Sequence, residues 1–282
     1  MEEKMKTRSC IAILFCILSL TLLPQQALAH NMWLNPGDHY PQVGTTVDIG
    51  IGWGHTYPAN RVDQEVTEDR VEEIRAIDPD GLKADLTKAS AALYKLKIEK
   101  AGVYLITARI KPGFFTMTPE GRQWGDKKTV ANAVKCTNFH IEAKTVIIAG
   151  GNDKNLSATA GMPLELIPLT NPLNLKSGDK LSVKVMFNEA PLSDTSVKAT
   201  YAGFEAGDIA PHAPAQQQGA QHGERHFPAE TVTDAQGQAS IQLDKPGFWM
   251  ILLSHRPPYP DKDVCDEYMY NTAFTFEVRP QK

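Results

Sequence analysis

The sequence is poor in cysteine, carries no excess of positive charge, and contains no apolar run long enough to cross a bilayer comfortably. Its 4 cysteines, Cys10, Cys16, Cys136 and Cys265, show no CxxC or zinc-ribbon spacing, which leaves a thiol redox motif or thiolate zinc site without support. The formal net charge is −4 and no basic patch stands out, so nucleic acid is not an expected partner. Catalytic signatures are equally scarce. No G-x-S-x-G elbow, H-E-x-x-H pair, glycine-rich phosphate loop or Cys–His arrangement appears in a suitable context. The acid pairs Glu72-Glu73 and Asp266-Glu267 fall where solvated strand edges or turns would place them. The chain is therefore expected not to be an enzyme.

What is present begins with an export signal. Lys4, Lys6 and Arg8 supply a positive start, residues 11–23 an apolar core of about 13 residues, and Ala27-Leu28-Ala29 a small-x-small cleavage pattern. Residues 1–29 are thus expected to be a cleaved signal peptide, the mature protein periplasmic, and no membrane span to remain. Neither Cys10 nor Cys16 is placed for a lipid anchor. Removing the segment moves the net charge from −4 to −5 and leaves Cys136 and Cys265. In an oxidising compartment these two suit a disulfide, while free thiols or soft metal ligands stay open as alternatives.

Long helical periodicity is also hard to find, whereas short alternating runs recur between turn signals. Residues 46–53, 71–78, 92–98, 103–110 and 139–149 read as strands; a second set covers 163–168, 180–187, 196–201, 239–243, 248–254 and 272–278. About 250 mature residues exceed one comfortable core. The expected architecture is all-β: two immunoglobulin-like antiparallel β-sandwich domains, 30–150 and 151–282. Asp78-Pro79-Asp80-Gly81 with Lys100-Ala101-Gly102-Val103-Tyr104 matches Asp234-Ala235-Gln236-Gly237 with Pro246-Gly247 and Trp249, so the halves read as variants of one unit. Residues 203–230, rich in Ala, Gln, Gly, Pro and His, break the alternation and are expected to form an irregular excursion. A proline-rich joint falls at 169–173.

Cleavage after Ala29 would make His30 the first residue, and a free α-amine beside an imidazole is a bidentate nitrogen chelate for a late divalent transition metal. His55, in Gly52-Trp53-Gly54-His55-Thr56-Tyr57-Pro58, sits where a strand gives way to a loop and is the candidate third nitrogen ligand. Trp33-Leu34 would pin the N-terminal segment against the first sandwich. His255 ends the 248–254 run as His55 ends its own strand, which makes it the third candidate ligand, with a plain strand-end role as its alternative. His212, His222 and His226 fall in the excursion, where a flexible metal-scavenging tether is one reading. His39 and His140 have no motif around them and read as ordinary surface or strand residues.

Taken together, the Ala-His junction, Trp33-Leu34, the 52–58 loop, Lys111-Pro112-Gly113-Phe114-Phe115, Thr118-Pro119-Glu120-Gly121 and Gly161-Met162-Pro163-Leu164-Glu165-Leu166-Ile167-Pro168 form a wider pattern. Asp234 to Gly237 and Pro246-Gly247-Phe248-Trp249 close it. The chain resembles the periplasmic proteins described as nickel/cobalt-transport components, a family otherwise labelled a domain of unknown function. The resemblance implies binding of Ni²⁺ or Co²⁺ for a membrane uptake transporter, with His30 and His55 as ligands. Cu²⁺ or Zn²⁺ are open on chemical grounds, since nitrogen-rich sites favour copper in vitro. Two other classes stand beside this reading: a structural or adhesive surface module, and a copper histidine-brace oxygenase in which Trp33, Tyr40 or Trp53 stacks on sugar.

Overall fold

The computed structural model describes residues 31–54, 57, 66–67, 69–204 and 227–280. The first ten strands are β1 (Asn31–Pro36), β2 (Thr46–Gly54), β3 (Val71–Ile77), β4 (Lys83–Ala84), β5 (Leu86–Ser90), β6 (Leu93–Lys97), β7 (Gly102–Ile110), β8 (Gly113–Thr118), β9 (Gly121–Trp124) and β10 (Lys135–Ala149). The remainder are β11 (Leu164–Pro168), β12 (Lys180–Phe187), β13 (Ala190–Pro191), β14 (Ser196–Tyr201), β15 (Ala229–Val232), β16 (Gln238–Gln242), β17 (Gly247–His255) and β18 (Glu267–Val278). The proline-rich joint is a 3-10 turn, Pro172–Asn174, capped by the Asn171 side chain accepting from the Leu173 amide.

Three sheets result. One small sheet runs β1-β2-β6-β5; another runs β11-β12-β13, with β16 also on β12. The large sheet runs β15-β14-β17-β18-β10-β7-β3-β4, with β8 on β10 and β9 on β8. Strands from both sides of Gly150 therefore share one sheet. Alternate residues of a strand face opposite ways, and β7 and β10 use both faces. Tyr104, Ile106, Ile141, Ala143 and Ile147 join Leu34, Ile49 and Leu96 in one core. Val103, Leu105, Val146 and Ile148 join Leu166, Val183 and Phe274 in the other. Burial on both faces is why these two strands read as nearly continuous apolar runs.

The short links between strands imply antiparallel pairing, and most ladders obey. The exception lies in the middle: β10 pairs β18 in parallel, from Thr137 opposite Glu267 to Thr145 opposite Thr275. A parallel pair needs a long crossover, and here everything between Ala149 and Glu267 supplies it. Cys136 and Cys265 form a disulfide at the start of this ladder, with Cα atoms 4.9 Å apart.

The two matching turns are built alike. Asp78 Oδ1 accepts from the amides of Asp80 and Leu82, and Asp234 Oδ1 from those of Gln236 and Gln238. Gly81 and Gly237 close them at φ +80° and +72°, a region that penalises a side chain. Tyr104 Oη donates to the carbonyl of Lys100, and Trp249 Nε1 to that of Lys245, each four residues back. Part of the expected excursion is ordered strand: residues 229–230 begin β15, which pairs β14 through β-branched Thr231 and Val232. Residues 205–226, with His212, His222 and His226, lie outside the described residues.

Candidate functional site

The β1–β2 ladder ends with Asn31 opposite Gly54. His30 is the residue before Asn31 and His55 the residue after Gly54; both lie outside the described residues. What holds the described end of this ladder is tight packing. Leu34 enters the first core, while Trp33, 1% exposed, turns the other way against Met250 and Ala273. The apolar anchor thus grips both halves of the molecule. Tyr57 stands edge-on to Trp33 at 5.7 Å and donates to the Trp249 carbonyl, and Thr275 Oγ1 donates to the Leu34 carbonyl. Gly52 is required here, because a Cβ would stand 2.0 Å from the Trp33 indole nitrogen.

His255 closes β17 opposite Tyr270, and its ring meets Phe187 at 4.5 Å. Burial lowers its imidazole below the usual range. The next residue, Arg256, lines a cleft with Trp53 instead. Strand alternation therefore sends His255 to the opposite face from the end of β2, and the structure does not bring it there. His140 stacks on Tyr270 at 4.6 Å and meets the Asn138 carboxamide through Nε2 at 2.7 Å. His39, expected on the surface or a strand, is 2% exposed in the β1–β2 connection. It is needed inside because its Nδ1 donates to the Val146 carbonyl and its own carbonyl accepts from Ile148. Among the described residues no group of three or more His, Cys, Asp or Glu is placed to hold a metal ion.

The cleft beside Trp53 encloses about 370 Å³, within the range of small-molecule sites. The β8–β9 hairpin and the start of β10 supply its aromatic wall: Phe115 and Phe139 lie near-parallel, and Trp124 stands edge-on to both. Gly113 makes room for the Phe139 ring, which a Cβ would meet at 2.8 Å. Arg122 lies over the Phe115 face and Arg70 over Trp53. The sequence offers a signal here, since Lys111 to Phe115 and Thr118 to Gly121 belong to the family-like pattern, which by itself names no chemistry for them.

Sequence reasoning also missed two buried ionic features. Lys144 Nζ meets Glu165 Oε1 at 2.5 Å with side chains 0% and 3% exposed. Burial lowers the Lys144 ammonium, and Glu165 opposes that effect. Nearby Glu142 is raised to about 7 by burial, with Arg109 and Arg75 opposing.

Glu142 and His39 give stability opposite pH dependences. The native state holds the Glu142 proton more tightly than the unfolded chain, so its contribution is complete below 4.5 and is lost as pH rises through about 7. Burial lowers His39 to about 4, so its contribution is complete above 6.5 and is lost as pH falls through about 4. Each shift corresponds to about 3 kcal/mol. Glu142→Gln is expected to gain stability over the parent progressively from pH 4.5 to 8, reaching roughly 2–3 kcal/mol in urea unfolding. A pH-independent difference would show that Glu142 titrates normally.

The fold and these sites define an immunoglobulin-like β-sandwich protein. The chain belongs to the family described as Domain of unknown function (DUF4198), whose profile matches residues 27–257. No curated protein matches it. Among solved structures it is similar to the D0-D1 domain of intimin, at 11% identity over 88% of this chain and 98% of that one, TM-score 0.22. It is also similar to Salmonella alpha-2-macroglobulin reacted with methylamine, at 12% identity over 90% of this chain and 15% of that one, TM-score 0.24. Fibronectin(III)-like modules of Clostridium thermocellum CbhA match at 8% identity over 88% and 94% of the two chains, TM-score 0.20. Among the described residues no helix is long and apolar enough to cross a membrane.

Proposed function

We propose that this chain is a non-catalytic, periplasmic binding protein that holds one divalent transition-metal ion through His30, its α-amine once residues 1–29 are removed, and His55. The observation that carries the reading is the register of the β1–β2 ladder, in which Asn31 faces Gly54. The two histidines are the residues next in sequence to the paired ends of those two strands, and consecutive Cα atoms are about 3.8 Å apart. Their adjacency in sequence to two paired residues supports a shared ion, whose nitrogen ligands would stand about 2 Å from the metal. The Cys136–Cys265 disulfide agrees with an oxidising compartment. His255 is left out, because it faces the other side of the large sheet. Ni²⁺ or Co²⁺ delivered to a membrane uptake transporter is the cargo and partner that the family resemblance favours.

Calorimetric titration of chain beginning at His30 is expected to show one Ni²⁺ or Co²⁺ per molecule. One extra residue before His30, or His55→Ala, is expected to weaken binding at least about tenfold, a loss of about 1.4 kcal/mol. Equal affinity in the extended chain would remove the terminal chelate. Unchanged binding by His55→Ala would remove the shared site.

A further inference from the structure

We infer that the cleft between the end of β2 and the β8–β9 hairpin is a second, independent binding site, and that its ligand is a small organic carboxylate with a flat aromatic body. Shape and surface point to the body. Phe115 and Phe139 lie 6.3 Å apart at 26°, and Trp124, 70% exposed, closes the wall at 85° and 69° to them. An exposed indole of that size, fixed beside two further rings, offers edge and face contacts to a planar guest. A cleft of about 370 Å³ accommodates one or two fused rings with their substituents.

Charge points to the carboxylate. Among the described residues, Arg70, Lys111, Arg122 and Arg256 line the cleft together with the carboxylate of Asp69, in a chain whose net charge is −4. Glu267 meets Arg256 at 2.5 Å and offsets part of this excess, and among the described lining residues the basic side chains still outnumber the acidic ones. Arginine suits the task because its planar fork matches a carboxylate with two parallel hydrogen bonds while its face rests on an aromatic ring. Arg122 already lies 4.6 Å from the Phe115 centroid. Among the described lining residues a neutral sugar would find mostly hydrogen-bond donors, with Asp69 as the carboxylate acceptor, which disfavours it.

The test uses the mature chain with 2-naphthoate as probe and tryptophan fluorescence or calorimetry as readout. Saturable one-to-one binding is expected, at least about tenfold tighter than for neutral 2-naphthalenemethanol, and falling with ionic strength as an exposed ionic contact should. Trp124→Ala and Arg122→Ala are each expected to weaken it about tenfold, the first without moving the melting temperature, since Trp124 is largely exposed. His55→Ala should leave it unchanged, which separates this site from the metal reading. Equal binding of the naphthoate and the alcohol, no saturable binding, or indifference to both cleft variants would overturn the proposal.

Discussion

Replacing Glu165 with leucine is expected to lower stability by more than about 4 kcal/mol, a large share of the roughly 5–15 kcal/mol that holds a typical domain together. Glu165 accepts four hydrogen bonds at once: from Lys144 Nζ at 2.5 Å and from the amides of Ala160, Gly161 and Met162 at 2.6, 3.1 and 3.3 Å. Removing it leaves a buried ammonium, the buried amides of Ala160 and Met162 and the part-buried amide of Gly161 without their acceptor. Breaking a buried pair from one side costs about 3–5 kcal/mol, and each orphaned donor adds to that. Lys144→Met should be milder, because the three amides still compensate the remaining carboxylate and the methionine fills the space. The expected order in urea unfolding is parent, then Lys144→Met, then Glu165→Leu. If Lys144→Met proved the worse of the two, the ion pair rather than the amide cradle would be the main prop of this loop.

The same pair shows where the sequence stops being legible. The runs 46–53, 71–78, 103–110 and 180–187 nearly coincide with β2, β3, β7 and β12, because alternation and bounding turns are local properties. In Ile141-Glu142-Ala143-Lys144 the alternation is just as clear, but it reads as one apolar and one solvated face. Here the polar face is covered by β11 and its preceding loop, so Lys144 and Glu142 are buried. Which strand covers which face is a tertiary fact that no window on β10 contains. The segment Gly161 to Pro168 belongs to the family-like pattern, and the structure shows what it does: Ala160 to Met162 wrap the Glu165 carboxylate, and Thr272 Oγ1 donates to the Leu164 carbonyl. The parallel β10–β18 ladder was illegible for a similar reason, since its partners stand about 130 residues apart. The cleft escaped because it joins the ends of separate strands, and β8 and β9, broken by Pro119, do not announce themselves as a run.

Reducing Cys136–Cys265 is expected to destabilise the protein by about 4 kcal/mol. The bridge spans a sequence separation of 129, and in the chain-entropy account a loop that long gives up close to the largest closure entropy a single cross-link can remove. It also stands at the one place where closure is hardest to obtain otherwise. Thr137 and Glu267 open the parallel ladder immediately beyond it, and Asp266 holds the Cys136 amide at 2.8 Å while pairing with Lys127. For a domain of this size the loss corresponds to a melting temperature lower by on the order of 10 °C. Cys136→Ser with Cys265→Ser should reproduce the shift and make it insensitive to reductant. Both sulfurs are fully buried, so reduction needs partial opening, and the melting shift should develop slowly with added dithiol. The ladder begun here carries Phe139 and Met269 into the cleft wall, so naphthoate binding should weaken in the doubly substituted chain even well below its melting temperature. A reduced protein that melts within about 1 °C of the oxidised one would show that the β10–β18 ladder closes without its cross-link.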